Sequence, residues 1–538
     1  MDTIHLAYLL VFLLTIIFIL RLHRRGAPPK QLNTTSTTAH CPYPSPILGN
    51  TLEFIRNRRR FFDWYADLLR ASPTGAIEAW GPFGSGHAVT TASPADVDHL
   101  LRSNFAGYAK GERFRDATAD LIGDGLFAAD GKLWSLQRKL ASHAFSSRAL
   151  RRFADGVLAS HLRQRLIPCL DAAAADGRAV DLQAALRRFG FGAICHVAFG
   201  VETDTRGQER EEELFAAFDA ALEISFRRAL TPATWVRRLT KLLDVGRSRR
   251  LREAVEIVHA HAMSVVESKE AARRRQGNGN GLADDDRDGD LLSRFMAAMD
   301  EDDGAGAGDL GAMFPTPAAK RRFLRDVVVT FVLAGKDTTS SALTWLFWLL
   351  AANPRCERLV HAEVASRPHE DGTGAGDVKA MHYLHAAITE AMRLYPPVPF
   401  NGRVAVADDE LPSGAAVRAG WYANYSAYAM GRMEAVWGED CMEFVPERWL
   451  GGGGEFVPVD AARYPVFHAG PRVCLGKEMA YVQMKTVAAA VLRRFRVEVV
   501  APTASMEAPP EYEMTATMKM KDGLRVRLRR REESAAER

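Results

Sequence analysis

The sequence predicts a mainly α-helical protein with a minor β region, set behind an N-terminal membrane anchor. Three observations carry that reading. From about residue 145 to 268 the chain is patterned for helix throughout and is rich in Ala, Leu and Arg. Strand-like stretches are short, and they fall at 76–91 and in the last quarter of the chain. An apolar run, Ile4 to Leu20, opens the chain and is interrupted only by His5, Tyr8 and Thr15.

That run is just long enough to cross a bilayer as a helix, and Arg21, His23, Arg24, Arg25 and Lys30 follow it. A basic flank on this side predicts that everything after it faces the cytosol. A cleaved signal peptide fits less well, because no basic segment precedes the run and no small-residue cleavage site follows. Residues 1–25 are therefore expected to be the anchor. Residues 26–50 are a proline-rich hinge, ending in His40-Cys-Pro-Tyr-Pro-Ser-Pro-Ile-Leu-Gly-Asn50. Residues 51–528 form the catalytic domain, and 529–538 a frayed charged tail.

The 538 residues, 47% of them hydrophobic, are ample for a core. A net charge of +4 and the lack of a basic helix with interleaved aromatics exclude a nucleic-acid partner. The cysteines at 41, 169, 195, 356, 441 and 474 are scattered with no C-x-x-C, which indicates neither zinc nor a disulfide framework. A reducing compartment follows.

Within 51–130, helices are expected at Phe61–Arg70 and Pro94–Arg102, with strands at Ala76–Trp80 and His87–Thr91. The stretch Leu126–Leu140 is read as a helix, on which Trp134 and Arg138, four apart, share a face. Lys269–Asp290 and Glu301–Gly311 are polar, glycine-rich connections. Gly306-Ala-Gly-Asp-Leu-Gly311 matches a dinucleotide fingerprint as a string, but no strand precedes it and no βαβ unit surrounds it.

Phe323 to Leu350 reads as one long helix, apolar on most faces and stopped by Asn353-Pro354. Midway lies a polar cluster, Asp337-Thr-Thr-Ser-Ser341, which a core tolerates only with partners. Back-bonding of its hydroxyls to carbonyls one turn earlier is the plain explanation. His382–Leu394 is a further helix carrying Glu390 and Arg393 three apart, and a second arginine follows in Phe444-Val-Pro-Glu-Arg-Trp449. Strands are expected at Arg403–Ala407 and Ala416–Ala419. A hairpin over Glu511–Arg527 is expected to turn at Asp522-Gly523.

The most specific stretch is Phe467-His-Ala-Gly-Pro-Arg-Val-Cys-Leu-Gly476, followed by a helix from Lys477. Cys474 sits just before a helix N-terminus, where the dipole and free N–H groups favour a thiolate. Gly470 and Gly476 let backbone N–H groups approach the sulfur. Such a sulfur suits axial ligation of haem iron, and Arg472 suits a haem propionate. The pattern Phe-x-x-Gly-x-Arg-x-Cys-x-Gly resembles the haem-binding signature of the cytochrome P-450 monooxygenases.

The resemblance spans essentially the whole chain and implies that family's fold, with haem b as cofactor. It implies that Cys474 is the axial ligand, with Phe467, Gly470 and Gly476 shaping its loop. It implies that Arg472, Trp134, Arg138 and Arg403 hold the propionates. Thr338 would hydrogen-bond the oxygen species at the iron, Asp337 would help relay protons, and Gly335 would permit a local opening of the helix. Glu390, Arg393 and Arg448 would form a structural network behind the cysteine loop. Family topology draws the substrate pocket from the loop 108–126, Thr330, Phe331, Val398–Phe400 and Met514–Thr517, with no carboxylate anchor among them. His468, where a small or amide residue is common, departs from the usual loop; little consequence is expected beyond an effect on reductase contact.

Several stretches, among them Ala334-Gly-Lys-Asp-Thr-Thr-Ser-Ser-Ala-Leu-Thr-Trp345 and Tyr428-Ala-Met-Gly-Arg-Met-Glu-Ala-Val-Trp-Gly438, resemble the plant fatty-acid ω-hydroxylases and the related jasmonoyl-isoleucine hydroxylases. The implied activity is insertion of one oxygen atom from dioxygen into a C–H bond. The substrate would be a lipid or oxylipin: a fatty acid at its ω end or, alternatively, jasmonoyl-isoleucine. NADPH-cytochrome reductase would supply electrons at the cytosolic face of the endoplasmic reticulum membrane. A hydroperoxide isomerase or dehydratase, or a haem sensor, fits less well with an intact Asp337-Thr338.

Overall fold

In the computed structural model the described residues are 39–42, 44–45, 47–201, 208–230, 246–277, 290–300, 308–367, 378–500 and 509–531. The anchor at 1–25, the first part of the hinge, much of the two glycine-rich connections and the tail beyond Arg531 lie outside them. Among the described residues no helix is long and apolar enough to cross a membrane.

The core of the body is built on two consecutive helices, Pro317–Lys336 and Thr338–Ala352, joined at Asp337. Thr316 caps the first helix by accepting from the Ala319 amide, and Pro317 supplies a preset φ at its start. The sequence expects one uninterrupted helix here, and the structure breaks it at Asp337. The cause is local competition for carbonyls. Thr338 Oγ1 donates to the Ala334 carbonyl at 2.7 Å, Thr339 Oγ1 to Gly335 at 3.2 Å and Ser340 Oγ to Lys336 at 2.9 Å. Three consecutive hydroxyls thus occupy acceptors that the following turn needs.

Around this pair pack Leu182–Phe199, Gln208–Leu230, Arg247–Gly277, His382–Leu394 and Lys477–Arg494. Trp345 and Trp348 are fully buried, and Trp345 stacks on Tyr395 with centroids 4.0 Å apart. The helical reading of 145–268 is interrupted by a short strand, Val180–Asp181, and residues 202–207 and 231–245 fall outside the described set. Phe61–Ala71 is helical, Pro94–Asp98 continues as a π-helical turn to Ser103, and the helix expected from Leu126 starts at Gly131.

The β region holds a six-stranded sheet in the order Ala39–His40, Ala76–Ala79, Ala88–Thr91, Tyr422–Tyr425, Asn401–Ala405, Tyr108–Ala109. The hairpin expected to turn at Asp522-Gly523 is not formed. Tyr512–Glu513 pairs with Lys519–Met520, so that hairpin turns at 514–518. Arg525–Arg530 crosses to another sheet and pairs with Phe495–Val499 and Val180–Asp181. Its alternation marks it as a half-buried strand: Val526 and Leu528 are buried and their arginine neighbours are exposed. Arg529 and Arg530 therefore belong to a strand and not to a frayed tail.

Candidate functional site

The cysteine loop consists of two short 3₁₀ turns, Pro465–Phe467 and Gly470–Arg472, leading into the helix Lys477–Arg494. The Cys474 amide donates to the Phe467 carbonyl at 2.8 Å and closes the loop on itself. Gly470 has φ +64°, and a Cβ there would lie 1.9 Å from the Leu101 carbonyl oxygen. Its requirement is thus close packing against a neighbouring segment. At Gly476 a Cβ would meet only ordinary contacts, including Cys474 Sγ at 3.9 Å. Burial pushes the Cys474 thiol up, while the Gly476 amide, Arg138 and Lys477 pull it down. Burial outweighs the helix-terminus effect expected from sequence. A bound metal cation reverses that balance, because a coordinating thiol loses its proton.

Cys474 opens onto a cavity of about 1050 Å³. Trp134, Arg138, Arg403, Phe467, Arg472, Gly476 and Thr338 line the same cavity. Of the cofactor-binding and catalytic residues expected from sequence, only Gly470 and Asp337 do not. In the otherwise buried stretch from Val327 to Ser341, Ala334, Gly335 and Thr338 alone retain substantial accessible surface. All three face the cavity, as a spacing of four on one helix face requires.

One wall is crowded with cations. Arg472 Nη2 donates to the Ala129 carbonyl at 2.9 Å and to Asp130 Oδ1 at 2.6 Å. The Trp134 ring carries Arg472 at 4.5 Å and Arg138 at 5.9 Å. Arg138 Nη2 donates to the Val473 carbonyl at 2.7 Å, which ties this helix to the cysteine loop. Arg403 is 1% exposed, and its Nη1 is buried with no hydrogen-bond partner. Lys110, which sequence reasoning missed, completes the wall. The pairing of Tyr108–Ala109 with Val404–Ala405 brings it there, next to Arg403. Burial, then the nearby Arg403 and Arg472, hold the Lys110 ammonium well below its usual range. Burial and Arg403 also lower Arg472, to about 10. Four more arginines line the cavity: Arg113, within the loop 108–126 expected to shape the pocket, and Arg58, Arg227 and Arg247, which no sequence pattern had marked.

Asp337 points elsewhere. It is 2% exposed and accepts from Lys336 Nζ at 2.7 and 2.8 Å and from Arg187 Nε at 3.1 Å, with Lys519 at 3.8 Å. Burial alone would raise its carboxyl, but these cations more than offset it and hold it ionised. Gly335 packs against Ile194, where a Cβ would come within 2.6 Å, and the break in the helix comes two residues later. His468, the departure from the usual loop, faces inward. It lines the cavity, with Nε2 accepting from Arg403 Nη2 at 2.9 Å. The Glu390 group does assemble. Glu390 accepts from Arg393 at 2.7 and 2.8 Å, from Arg448 Nε at 2.9 Å and from Trp449 Nε1 at 2.9 Å, all out of solvent.

The family model for cytochrome P-450 matches residues 39–522. The chain belongs to the cytochrome P-450 family. It is 41% identical over 496 residues to cytochrome P-450 CYP94D108 of Paris polyphylla, covering 90% of this chain and 92% of that one. It is 40% identical over 513 residues to cytochrome P-450 94B1 of Arabidopsis thaliana, covering 94% of each. It is 39% identical over 516 residues to cytochrome P-450 94A2 of Vicia sativa, again with 94% of each covered. As a cytochrome P-450 it is a monooxygenase, an oxidoreductase with a haem-thiolate cofactor that takes electrons from a redox partner and acts on hydrophobic substrates.

The cavity fits that cofactor. A cysteine sulfur opens onto it, and a buried guanidinium nitrogen without a partner stands in the same wall as Lys110 and Arg472. Buried donors and unneutralised cations of this kind call for an anionic group, which the two carboxylates of a haem provide.

Proposed function

We propose that this monooxygenase holds haem b through Cys474 and hydroxylates a fatty acid at its ω end. The carrying observation is the division of one cavity into two chemistries. Cys474 and the cations Lys110, Arg403 and Arg472 serve the cofactor, while Phe331, Leu333, Leu222, Ile194 and Met514 offer an apolar passage to Ala334 and Thr338. An alkyl chain fills such a passage, and Arg58 and Arg247, which line the same cavity, offer cations for an acid group.

When bound, the haem supplies dioxygen activation and oxygen transfer to carbon. One oxygen atom enters the C–H bond and the other leaves as water, with two electrons drawn from NADPH. The chain's own part is positional. Cys474 would ligate the iron and Arg403 and Arg472 would take the carboxylates, while Arg138 braces the cysteine loop through Val473. Thr338 lies on the cavity face with its hydroxyl donating to the Ala334 carbonyl, and from there it would pass a proton to the oxygen chemistry that the haem supplies. Asp337 supports it from behind, through the clamp on Lys336 and Arg187 and not by contact.

Residues 1–25 anchor the protein in the endoplasmic reticulum membrane, 26–50 serve as the hinge, and the body faces the cytosol, where NADPH-cytochrome reductase reaches it.

The test is product analysis after reconstitution with that reductase, offering a long-chain fatty acid and jasmonoyl-isoleucine in parallel. NADPH-dependent hydroxylation at the fatty-acid terminus supports the reading. Turnover of jasmonoyl-isoleucine alone, or conversion of hydroperoxides without NADPH, overturns it. Cys474→Ala is expected to abolish both the thiolate-type carbonmonoxy spectrum and turnover.

A further inference from the structure

His468 has the backbone of a glycine. Its φ is +64° and its ψ −179°, a region that residues with a side chain almost never occupy. Only two described non-glycine residues have positive φ, and the other, Asp522, lies in a surface turn. A strained histidine therefore sits six residues before Cys474, in the loop that shapes the cavity. Strain of this kind persists only where surrounding contacts hold it.

Those contacts are specific. The imidazole packs edge-on against Tyr425 with centroids 5.9 Å apart. Its Nε2 lies 2.9 Å from Arg403 Nη2. A guanidinium only donates, so Nε2 accepts and the proton of the neutral ring sits on Nδ1, which lies 3.0 Å from both the carbonyl oxygen and the amide nitrogen of Ala469. Burial and the guanidinium both disfavour a second proton, so the ring is held neutral. Arg403 is thereby left with one amino group engaged and the other, Nη1, buried and without a partner.

We propose that His468 is a positioning residue: from its glycine-like backbone conformation it fixes the Arg403 guanidinium through Nη2, so that Nη1 is reserved for a carboxylate of the cofactor. The inference rests on the haem reading of the cavity. It gives a reason for a side chain where the backbone favours none. Removing the side chain relaxes the loop and at the same time releases Arg403. The two effects have opposite signs, stabilising for the fold and loosening for the cofactor.

The test compares full-length wild type with His468→Gly and His468→Gln. Three quantities are read: thermal unfolding, the rate of haem transfer to excess apomyoglobin, and the midpoint reduction potential. A carbonmonoxy spectrum of each protein accompanies them. His468→Gly is expected to unfold at no lower temperature than wild type, yet to lose haem about tenfold faster, as expected when a ligand's orienting partner is removed. Its potential is expected to move to more negative values, because a less neutralised carboxylate favours the ferric state. His468→Gln, whose amide oxygen can accept from Arg403, is expected to restore most of the haem retention. Equal haem transfer in all three proteins overturns the proposal. So does equally fast transfer in the Gly and Gln variants, which would tie the loss to ring bulk and not to the acceptor. A wild type without the thiolate spectrum removes the haem reading itself, and that outcome is distinct from the others.

Discussion

Two buried charge groups, one around Glu390 and one around Arg403, are built on opposite principles. Around Glu390 every charge is answered. Its two oxygens accept from Arg393, Arg448, Trp449 and the Val445 amide, and Arg448 also meets Asp440 at 3.0 Å. Arg393 spends its remaining donors on the Gly431, Cys441 and Glu443 carbonyls. Around Arg403 the charges are left open. Lys110, Arg403 and Arg472 share one carboxylate, Asp130, and one guanidinium nitrogen has no partner at all. A closed network holds a fold. An open one of a single sign marks the place of a missing counter-charge.

Four substitutions put that contrast at risk. Arg393→Ala has the largest expected effect. It strands Glu390 in the core and is expected to cost about 3–5 kcal/mol, enough to prevent accumulation of folded protein. Denaturant unfolding of the purified variant checks it, and near-wild-type stability would mean that the closed network is not structural.

Thr338→Ala comes next. Product formed per NADPH consumed is expected to fall about 10²-fold, with electrons lost to hydrogen peroxide. The substrate-induced spectral shift should change little. Unchanged coupling would return Thr338 to a helix back-bonding role, which its contact with the Ala334 carbonyl already satisfies.

Arg403→Leu sharpens the comparison most directly. It removes an unpaired buried charge, so the stability of the haem-free protein is expected to stay within about 1 kcal/mol of wild type or to rise. Haem affinity is expected to fall about tenfold. A loss of haem-free stability matching that of Arg393→Ala would erase the distinction between the two groups.

The smallest effect is a pH dependence at the third cluster. The Asp337 carboxyl is depressed in the folded protein, because Lys336, Lys519 and Arg187 outweigh the upward push of burial. A depressed acid contributes its full stability above the unfolded value of 3.8 and loses it as pH falls through the lower folded value. The stability gap between wild type and Asp337→Asn is therefore expected to be constant from pH 7 to about pH 5 and to shrink below pH 4. Thermal unfolding across that range measures it, and a gap that does not shrink would show that Asp337 does not carry the charge assigned to it.

What was legible in sequence follows from local chemistry. The helix His382–Leu394 is found at the bounds that its pattern indicates, because Pro396 ends it and its apolar face is continuous. Cys474 with its flanking glycines, Thr338, and the pair Trp134 and Arg138 are recognisable because each motif is written within ten residues of chain. The break at Asp337 was hidden, since hydroxyl back-bonding competes with the helix only where packing fixes each rotamer. The strand Arg525–Arg530 was assigned to the wrong partner. Its alternation states that it pairs but not with what, and the chain chose Phe495–Val499.

The sequence by itself determined the family, the cysteine loop, the helical body and most of the residues expected to hold the cofactor, because these are set by short-range spacing and residue type. Only the tertiary structure decided which way side chains turn once elements meet. It placed Lys110 beside Arg403 through a strand pairing nearly 300 residues apart in register, Ala109 with Val404. It turned Asp337 away from the cavity into a cluster with Arg187 and Lys519, and it turned His468 inward onto Arg403. Buried charge is neutralised or left open by neighbours distant in the chain, and no local pattern records who those neighbours are.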